Sequence, residues 1–513
     1  MIDAPWVLAI VGGGIHGTAV ARDAARRGLR VVLFERDDLA QATSSASSKL
    51  VHGGLRYLET GQFGLVREAL RERHTLLRIA PHLVRPLPFL APFGPGSRWA
   101  GWQLALGVRA YDLLAGRRRI ERSGRLGRDA VLETEPVLDV PHLRGAQRFF
   151  DAQVDDARLC VENALDAASH GATVHTRHRV TDLLFDEGAV HGVEVEDRAT
   201  GRRAAVEARV VVNASGPWID RIAARQPLAH TPSVRLSRGT HVVVPPITRG
   251  HALLLTDENG RIFFVLPWKG RSLIGTTEVE HTAGPDDVAP TTEEIDGLLR
   301  SASAHLASPP LQRDQVLHAF AGVRTLRASD EDDPGRVPRD TEIREDAPGL
   351  LGILGGKYTT HRSVAARVVD AVERRVRGRA TACTTAEHPL PGGDAPDMND
   401  YFRVAEDLLV ARYPGLDVEI LRYLLGTYGT RHTEILLRFD EDPEGLERIE
   451  AGLPFTVAEV EHLVATEFAR SVDDLVERRT YRRALGGFGR DAEAAWRRAL
   501  ERACHRTGID PVD

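Results

Sequence analysis

Lysine is almost missing from this 513-residue chain: of 67 basic residues only Lys49, Lys269 and Lys357 are lysine. Arginine stands wherever either cation serves. A lysine that persists therefore marks a place where a compact ammonium differs from a planar fork. Chance retention is the plain alternative, and Lys269, in the turn-like Pro267-Trp268-Lys269-Gly270, is an example. Cysteine is scarce too. Cys160, Cys383 and Cys504 lie far apart, which argues against a disulfide framework or a metal cluster and fits a reducing cytoplasm. No metal site is expected. No apolar run reaches the roughly twenty residues a spanning helix needs. Met1–Pro5 runs straight into a strand pattern, so no signal peptide is expected. The net charge of -6 argues against a general nucleic-acid role. Repeats and low-complexity tracts are absent. Hydrophobic residues at 42% and charged residues at 27% are ordinary for a globular protein, and the length predicts two or three domains.

What is present begins with a nucleotide fingerprint. Val7–Val11 reads as a buried parallel strand. It runs into Gly12-Gly13-Gly14-Ile15-His16-Gly17, a G-x-G-x-x-G turn. Thr18–Arg27 then reads as a helix ended by Gly28, Val31–Phe34 as a second strand, and Glu35 follows eighteen residues after Gly17. The glycines allow close approach to a pyrophosphate, the helix start supplies N–H groups, and the acid suits ribose hydroxyls. A bare glycine-rich turn would lack this ordered context.

The next segment is the most informative. Thr43-Ser44-Ser45-Ala46-Ser47-Ser48-Lys49-Leu50-Val51-His52-Gly53-Gly54-Leu55-Arg56-Tyr57-Leu58 is dense in hydroxyls and poor in anything to bury. Such residues need partners if they leave water, so the block is expected to lie along a polar ligand. Together with Gly12–Gly17 and Glu35, it resembles the FAD-dependent, quinone-linked glycerol-3-phosphate dehydrogenases. The likeness runs along most of the chain. It includes Val154–Leu159, Val212–Trp218, Arg238–His241, Ile274–Thr277, Gly322–Arg324 and Gly355–Thr360. His16 and Tyr358 depart from the family pattern, the latter standing where an aliphatic residue is usual.

The expected fold is α/β: a discontinuous Rossmann-like FAD-binding domain (1–85, 145–235 and 320–385), an antiparallel β-rich substrate domain (86–144 and 236–319), and an α-helical C-terminal domain (390–513). Helices are expected at Tyr401–Arg412, Val418–Tyr428 and Val457–Arg470, with Thr456 and Glu459 as a capping box on the last. The helical domain carries no sign of chemistry. Packing or homodimer formation would be its role.

The resemblance assigns the site. FAD, bound non-covalently, is expected against Gly12, Gly13, Gly14, Ile15, Gly17 and Glu35, and along Thr43, Ser44, Ser45, Ser47, Ser48, Lys49, His52, Gly53 and Gly54. Val180, Ser215, Gly216, Trp218, Gly355, Gly356, Lys357 and Thr359 complete its contacts. Arg324 and Arg339 match the phosphate-binding arginines, though most of the 64 arginines must simply be solvated. Arg56 and Tyr57 match active-site positions; a core aromatic is the plainer role for Tyr57 alone. His241 is placed near the substrate hydroxyl as proton acceptor, although a histidine in a β pattern is more often structural. Lys357 is expected to reach the flavin edge or the substrate.

The implied reaction is oxidation of sn-glycerol 3-phosphate to dihydroxyacetone phosphate, with a membrane quinone as final acceptor. Rivals are an O2-using oxidase of the same fold, an amine or amino-acid oxidising flavoenzyme, and a non-catalytic flavin-binding protein. Quinone use implies a cytoplasmic enzyme peripheral on the inner face of the membrane, touching an anionic surface. Pro86–Arg119, with Trp99, Trp102, Leu106, Ala110, Leu113 and Arg117–Arg119, reads as an interfacial helix; a helix packed on its own domain is the equal alternative.

Overall fold

The computed structural model describes residues 6–225, 233–307, 309–328 and 340–512. The N-terminal apolar runs have no polar position to turn toward water, so they become central parallel strands. Trp6–Val11 lies between Val31–Phe34 and Arg203–Asn213, parallel to both. The first sheet has the order Glu342–Ala347, Leu350–Leu354, Arg203–Asn213, Trp6–Val11, Val31–Phe34, Thr173–His175. Leu8 and Ile10 point to one face, where they meet Ala21, Val161 and Val368 from the helices Ile15–Arg26, Asp156–Ser169 and His361–Arg377. Ala9 and Val11 point to the other face, against Val180 and Val193 of the hairpin His178–Asp186/Ala189–Asp197. Three strands end together at Gly12, Ala214 and Gly355, the edge where such sheets bind ligands.

Among the described residues the second sheet has ten strands, antiparallel except where Ala252–Thr256 lies beside Val84–Phe93. Three strands from segments expected in the flavin domain belong to it, the short Leu50–Val51 among them, paired with Gly145–Val154. Gly145–Val154 pairs with Val84–Phe93 along its full length, and His318–Arg327 does so with Val234–Val244. Their apolar runs announce strands but carry nothing about which sheet receives them. Pairing that bridges fifty or more residues is decided by the assembled sheet.

The segment Pro86–Arg119 also differs from expectation. Val84–Phe93 is a strand, because Pro86, Pro88 and Pro92 cannot occupy a helix interior. Gly101–Ala115 is α-helical, and a 3-10 turn over Gly116–Arg118 follows it.

The C-terminal helices pack around Trp496, Phe455 and Tyr428. The expected Tyr401–Arg412 starts earlier, at Met398, because Asp397 caps the N–H groups of Asn399 and Asp400. Val418–Tyr428 forms as expected. Val457–Arg470 stops at Thr466; Phe468 turns left-handed at φ 63° and ends the helix. The capping box is half formed. Thr456 Oγ1 accepts from Glu459 N–H, but the Glu459 carboxylate turns inward to the hydroxyls of Tyr423 and Tyr428.

Candidate active site

The glycine turn forms for reasons visible atom by atom. A Cβ on Gly17 would lie 1.9 Å from Gly12 O, so helix and strand can close only over glycine. Gly12 has φ 107°, and a Cβ there would meet Ala214 O at 2.7 Å. The first helix begins at Gly14, which has no side chain to cap it. Ser44 Oγ does so, accepting from Ile15 N–H at 2.9 Å. Glu35 Oε2 accepts from Gly13 N–H at 2.6 Å and Oε1 from Asp37 N–H at 2.9 Å. Burial raises the Glu35 carboxyl above its ordinary value, with these N–H donors pulling the other way.

One cavity of about 490 Å³ gathers most of the expected residues. Gly12, Gly14, Ile15 and Glu35 line one end, with Val180, Ser215, Gly216 and Trp218 beside them. Thr43, Ser44, Ser47, Ser48 and His52 run along it. Tyr57, His241, Arg324, Gly355, Gly356, Lys357 and Thr359 complete its lining, with Gly356 close to His16 of the glycine turn. An adjoining cavity of about 180 Å³ is lined by Gly54, Arg56, Tyr57, Arg324 and Glu278, with Phe89, Phe149 and Phe264 at its apolar side.

Other expected contacts are not made at the cavity wall. Gly13 and Gly17 act by packing and through the Glu35 bond. Ser45 Oγ turns to Ala42 O. Gly53 is a packing glycine: its N–H donates to Tyr111 Oη, and a Cβ would lie 2.5 Å from that oxygen. Lys49 is the clearest departure. It is 1% exposed, and its ammonium donates to Asp156 Oδ1 at 2.8 Å and to Ser45 O, away from the cavity. Arg339 lies outside the described residues.

His241 sits on the strand Val234–Val244, opposite Gly275, whose Cβ would fall 2.2 Å from the imidazole. That glycine makes room for the ring. The ring stacks on Phe320 at 5.0 Å, and Nε2 meets Ser48 Oγ at 2.9 Å. Burial first, then the nearby Arg324 and Lys49 cations, hold the imidazole well below its ordinary pKa. It is neutral at physiological pH, as a proton acceptor must be. The Lys357 ammonium lies 3.7 Å from the Tyr57 ring centre, and a Cβ on Gly54 would come within 2.8 Å of it.

Arg324 donates to Thr276 Oγ1 at 3.2 Å. Glu278 lies 3.7 Å from both Arg324 and Arg56. Sequence reasoning missed Glu278, and no motif marks it. It also missed Tyr481, which reaches Asp156 from the C-terminal domain.

FAD fits these residues on the structure's own terms. Gly12, Gly322 and Gly356 line the cavity where a Cβ would fall 2.7, 2.8 and 2.5 Å from a neighbouring atom, the hydroxyl-bearing Thr43, Ser44, Ser47 and Ser48 line it too, and Glu35 stands at the ribose position beyond the glycine turn. The fold and the cavity define an FAD-dependent oxidoreductase. Residues 8–362 match the family model described as FAD dependent oxidoreductase, and residues 383–504 match that of the C-terminal domain of alpha-glycerophosphate oxidase.

Among curated proteins, the chain is 40% identical over 482 residues to a glycerol-3-phosphate dehydrogenase of Pseudomonas aeruginosa, covering 92% of this chain and 91% of that one. It is likewise 40% identical over 480 residues to a D-erythritol 1-phosphate dehydrogenase of Brucella abortus, covering 92% and 93%. The FAD complex of the glycerol-3-phosphate dehydrogenase from Bacillus halodurans superposes with a TM-score of 0.80 at 30% identity, over 99% of this chain and 92% of that one. The chain belongs to the family of FAD-dependent glycerol-3-phosphate dehydrogenases. Glycine oxidase from Bacillus cereus shares the fold, with a TM-score of 0.55 at 22% identity over 72% of this chain and 98% of that one.

Proposed function

We propose that this protein oxidises sn-glycerol 3-phosphate to dihydroxyacetone phosphate. The observation that carries the reading is a neutral, buried His241 in the same cavity wall as the Arg324 cation and the Lys357 ammonium. Arg324, with Arg56 beside it, holds the substrate phosphate by charge-assisted hydrogen bonds; Arg339 is proposed as a further phosphate ligand. His241 takes the C2 hydroxyl proton at Nε2, the nitrogen that meets Ser48. Bound FAD supplies a two-electron acceptor for the C2 hydride. Lys357 places positive charge at the Gly54 end of the cavity, where negative charge develops. Tyr57 holds that ammonium over its ring face. The carbon is oxidised from alcohol to ketone as one proton and one hydride leave.

Electrons pass to a membrane quinone, with the enzyme attached to the inner face of the cytoplasmic membrane. Support for attachment comes from the helix Gly101–Ala115, whose outer face carries Trp102, Leu106 and Leu113, exposed by 69%, 63% and 82%. Arg117, Arg118 and Arg119 follow it, all exposed. Apolar residues beside arginines suit an anionic surface. Among the described residues no helix is long and apolar enough to cross a membrane.

D-Erythritol 1-phosphate is a second substrate reading. It is favoured by the equally similar Brucella relative and by the adjoining cavity beyond Arg56, which could take one more carbon. Anaerobic mixing of the FAD-loaded protein with each phosphate decides. Bleaching of the yellow flavin by glycerol 3-phosphate is expected, at a lower KM than with erythritol phosphate. Absence of bleaching by either sinks the reading. Rapid recolouring by O2, with none from a quinone, assigns an oxidase instead. Arg324→Ala is expected to raise KM about 10- to 100-fold, the worth of hydrogen bonds to a charged group.

A further inference from the structure

We propose that Asp156 is a hub through which Tyr481 of the C-terminal domain positions both walls of the flavin cavity, making Tyr481 a positioning residue for His241 and Lys357. It rests on the reading of His241 as the base.

Asp156 is fully buried at the start of the helix Asp156–Ser169. Its Oδ1 accepts from Tyr481 Oη and, at 2.8 Å, from Lys49 Nζ. Its Oδ2 accepts from Ser47 Oγ at 2.6 Å. Its backbone oxygen accepts from Tyr358 Oη at 2.5 Å. Ser47, Lys49 and Tyr358 are each one residue from chemistry, and Lys49 follows Ser48. Ser47 precedes Ser48, whose hydroxyl meets His241. Tyr358 follows Lys357. Tyr358 thus has a physical role: its hydroxyl ties the Lys357 loop to the hub.

Lys49 shows how closely the hub is fitted. It is a non-glycine residue held at φ 56°, a conformation that costs energy and persists only where surroundings over-determine it. Its ammonium reaches Ser45 O and Asp156 on one side, while the Tyr481 ring lies 4.5 Å away on the other. A point charge with donors in three directions meets this geometry; a planar guanidinium does not. This accounts for a lysine in a chain that otherwise uses arginine.

Tyr481 reaches the hub as a held part. It is 4% exposed, at φ 55°, and its hydroxyl also accepts from Ala157 N–H at 3.0 Å. Just before it, Arg478 and Arg479 both bind Asp38, which follows Glu35 in the flavin domain. A domain that served packing alone would place apolar groups here. The charged groups facing His241 are Lys49 and Arg324. Asp156 reaches it through Ser47 and Ser48, and His318 lies beyond Phe320.

Full-length, FAD-loaded Tyr481→Phe keeps the ring over Lys49 and removes the hydroxyl. At saturating glycerol 3-phosphate its flavin reduction per bound flavin is expected to fall about tenfold, with KM within about twofold and a displaced visible flavin band. Lys49→Arg keeps the charge and loses the geometry, and is expected to slow reduction similarly. In Lys49→Met the His241 ring titration, followed by NMR, is expected to move upward, because a facing cation is gone. A wild-type reduction rate and flavin spectrum in Tyr481→Phe, even at a lower melting temperature, would make the domain a packing element and overturn the proposal. Failure of Tyr481→Phe and Lys49→Arg to fold would overturn it too, as would a wild-type rate in Lys49→Arg. Wild-type protein left unbleached by glycerol 3-phosphate would remove the substrate reading alone, since the flavin spectrum and the His241 titration still decide the hub.

Discussion

His241 shows how a residue's surroundings write its chemistry. In water its ring would titrate near pH 6.5. Here burial and two nearby cations push that well down. The sign follows directly: protonation removes the base, so activity falls only when pH drops through the depressed value. The pH profile of kcat at saturating substrate is expected to show no loss between pH 8 and 6.5. An acid limb centred near 6.5 would contradict the role of His241. Using kcat keeps the substrate phosphate, with its second pKa of about 6, from confusing the result. The residue itself was legible in Arg238-Gly239-Thr240-His241 by likeness. Its neutrality was not, because it comes from Phe320, Lys49 and Arg324, which approach from elsewhere in the chain. Glu278 was illegible for the same reason. A lone glutamate after Thr277 says nothing until two arginines fold toward it.

Helices carry their own logic. On Val457–Thr466, Glu459 is buried, and desolvation raises its carboxyl to about 7 against hydroxyl donors Tyr423 and Tyr428 that favour the charged form. The native state therefore keeps a proton that the unfolded chain releases near pH 4.5. Stability falls as pH rises from about 4.5 to 7, by roughly 3 kcal/mol from this group. Glu459→Gln is expected to flatten that slope in denaturant titrations at pH 5, 6 and 7.5; an unchanged slope would assign the pH dependence elsewhere. The helix Gly101–Ala115 shows a different balance. Leu104, Val108 and Tyr111 face inward, while Trp102, Leu106 and Leu113 face out. Leu113→Asp is expected to cut sedimentation with anionic liposomes roughly tenfold, from the lost burial of one leucine. Wild-type protein left in the supernatant at low salt would count against attachment by this face. The stripe was readable by its spacing; the strand before it was not separated from it until its prolines found partners in Gly145–Val154.

At the scale of the molecule, buried polar contacts join the C-terminal domain to the flavin domain. Arg158 binds Glu467 bidentately, with both side chains fully buried, and Arg431 also reaches that carboxylate. Burial opposes ionisation of Glu467, but Arg158 and Arg431 outweigh it and hold the carboxyl well below its usual range. Removing one partner of such a pair leaves a buried charge, at a cost of about 3–5 kcal/mol. Arg158→Met is therefore expected to lower the denaturant midpoint and to expose the domain boundary to limited proteolysis. A cost under about 1 kcal/mol would show the contact to be incidental. Nothing in the sequence paired Arg158 with Glu467, since more than three hundred residues separate them.

The sequence by itself determined the cofactor class and the local scaffold. The glycine turn, Glu35 and the hydroxyl block impose their geometry over short distances, through steric exclusion and helix N–H groups, so their meaning survives in one dimension. Tertiary structure alone decided which strands joined the second sheet, that burial with Arg324 and Lys49 nearby holds His241 neutral, and that Lys49 turns away from the cavity to Asp156. These outcomes depend on burial and on charges brought together from distant parts of the chain. Scarcity marked Lys49 as exceptional. Only the folded protein shows why: the ammonium is enclosed by a carboxylate, a carbonyl and the ring of Tyr481, contributed by a domain whose sequence shows no chemistry of its own.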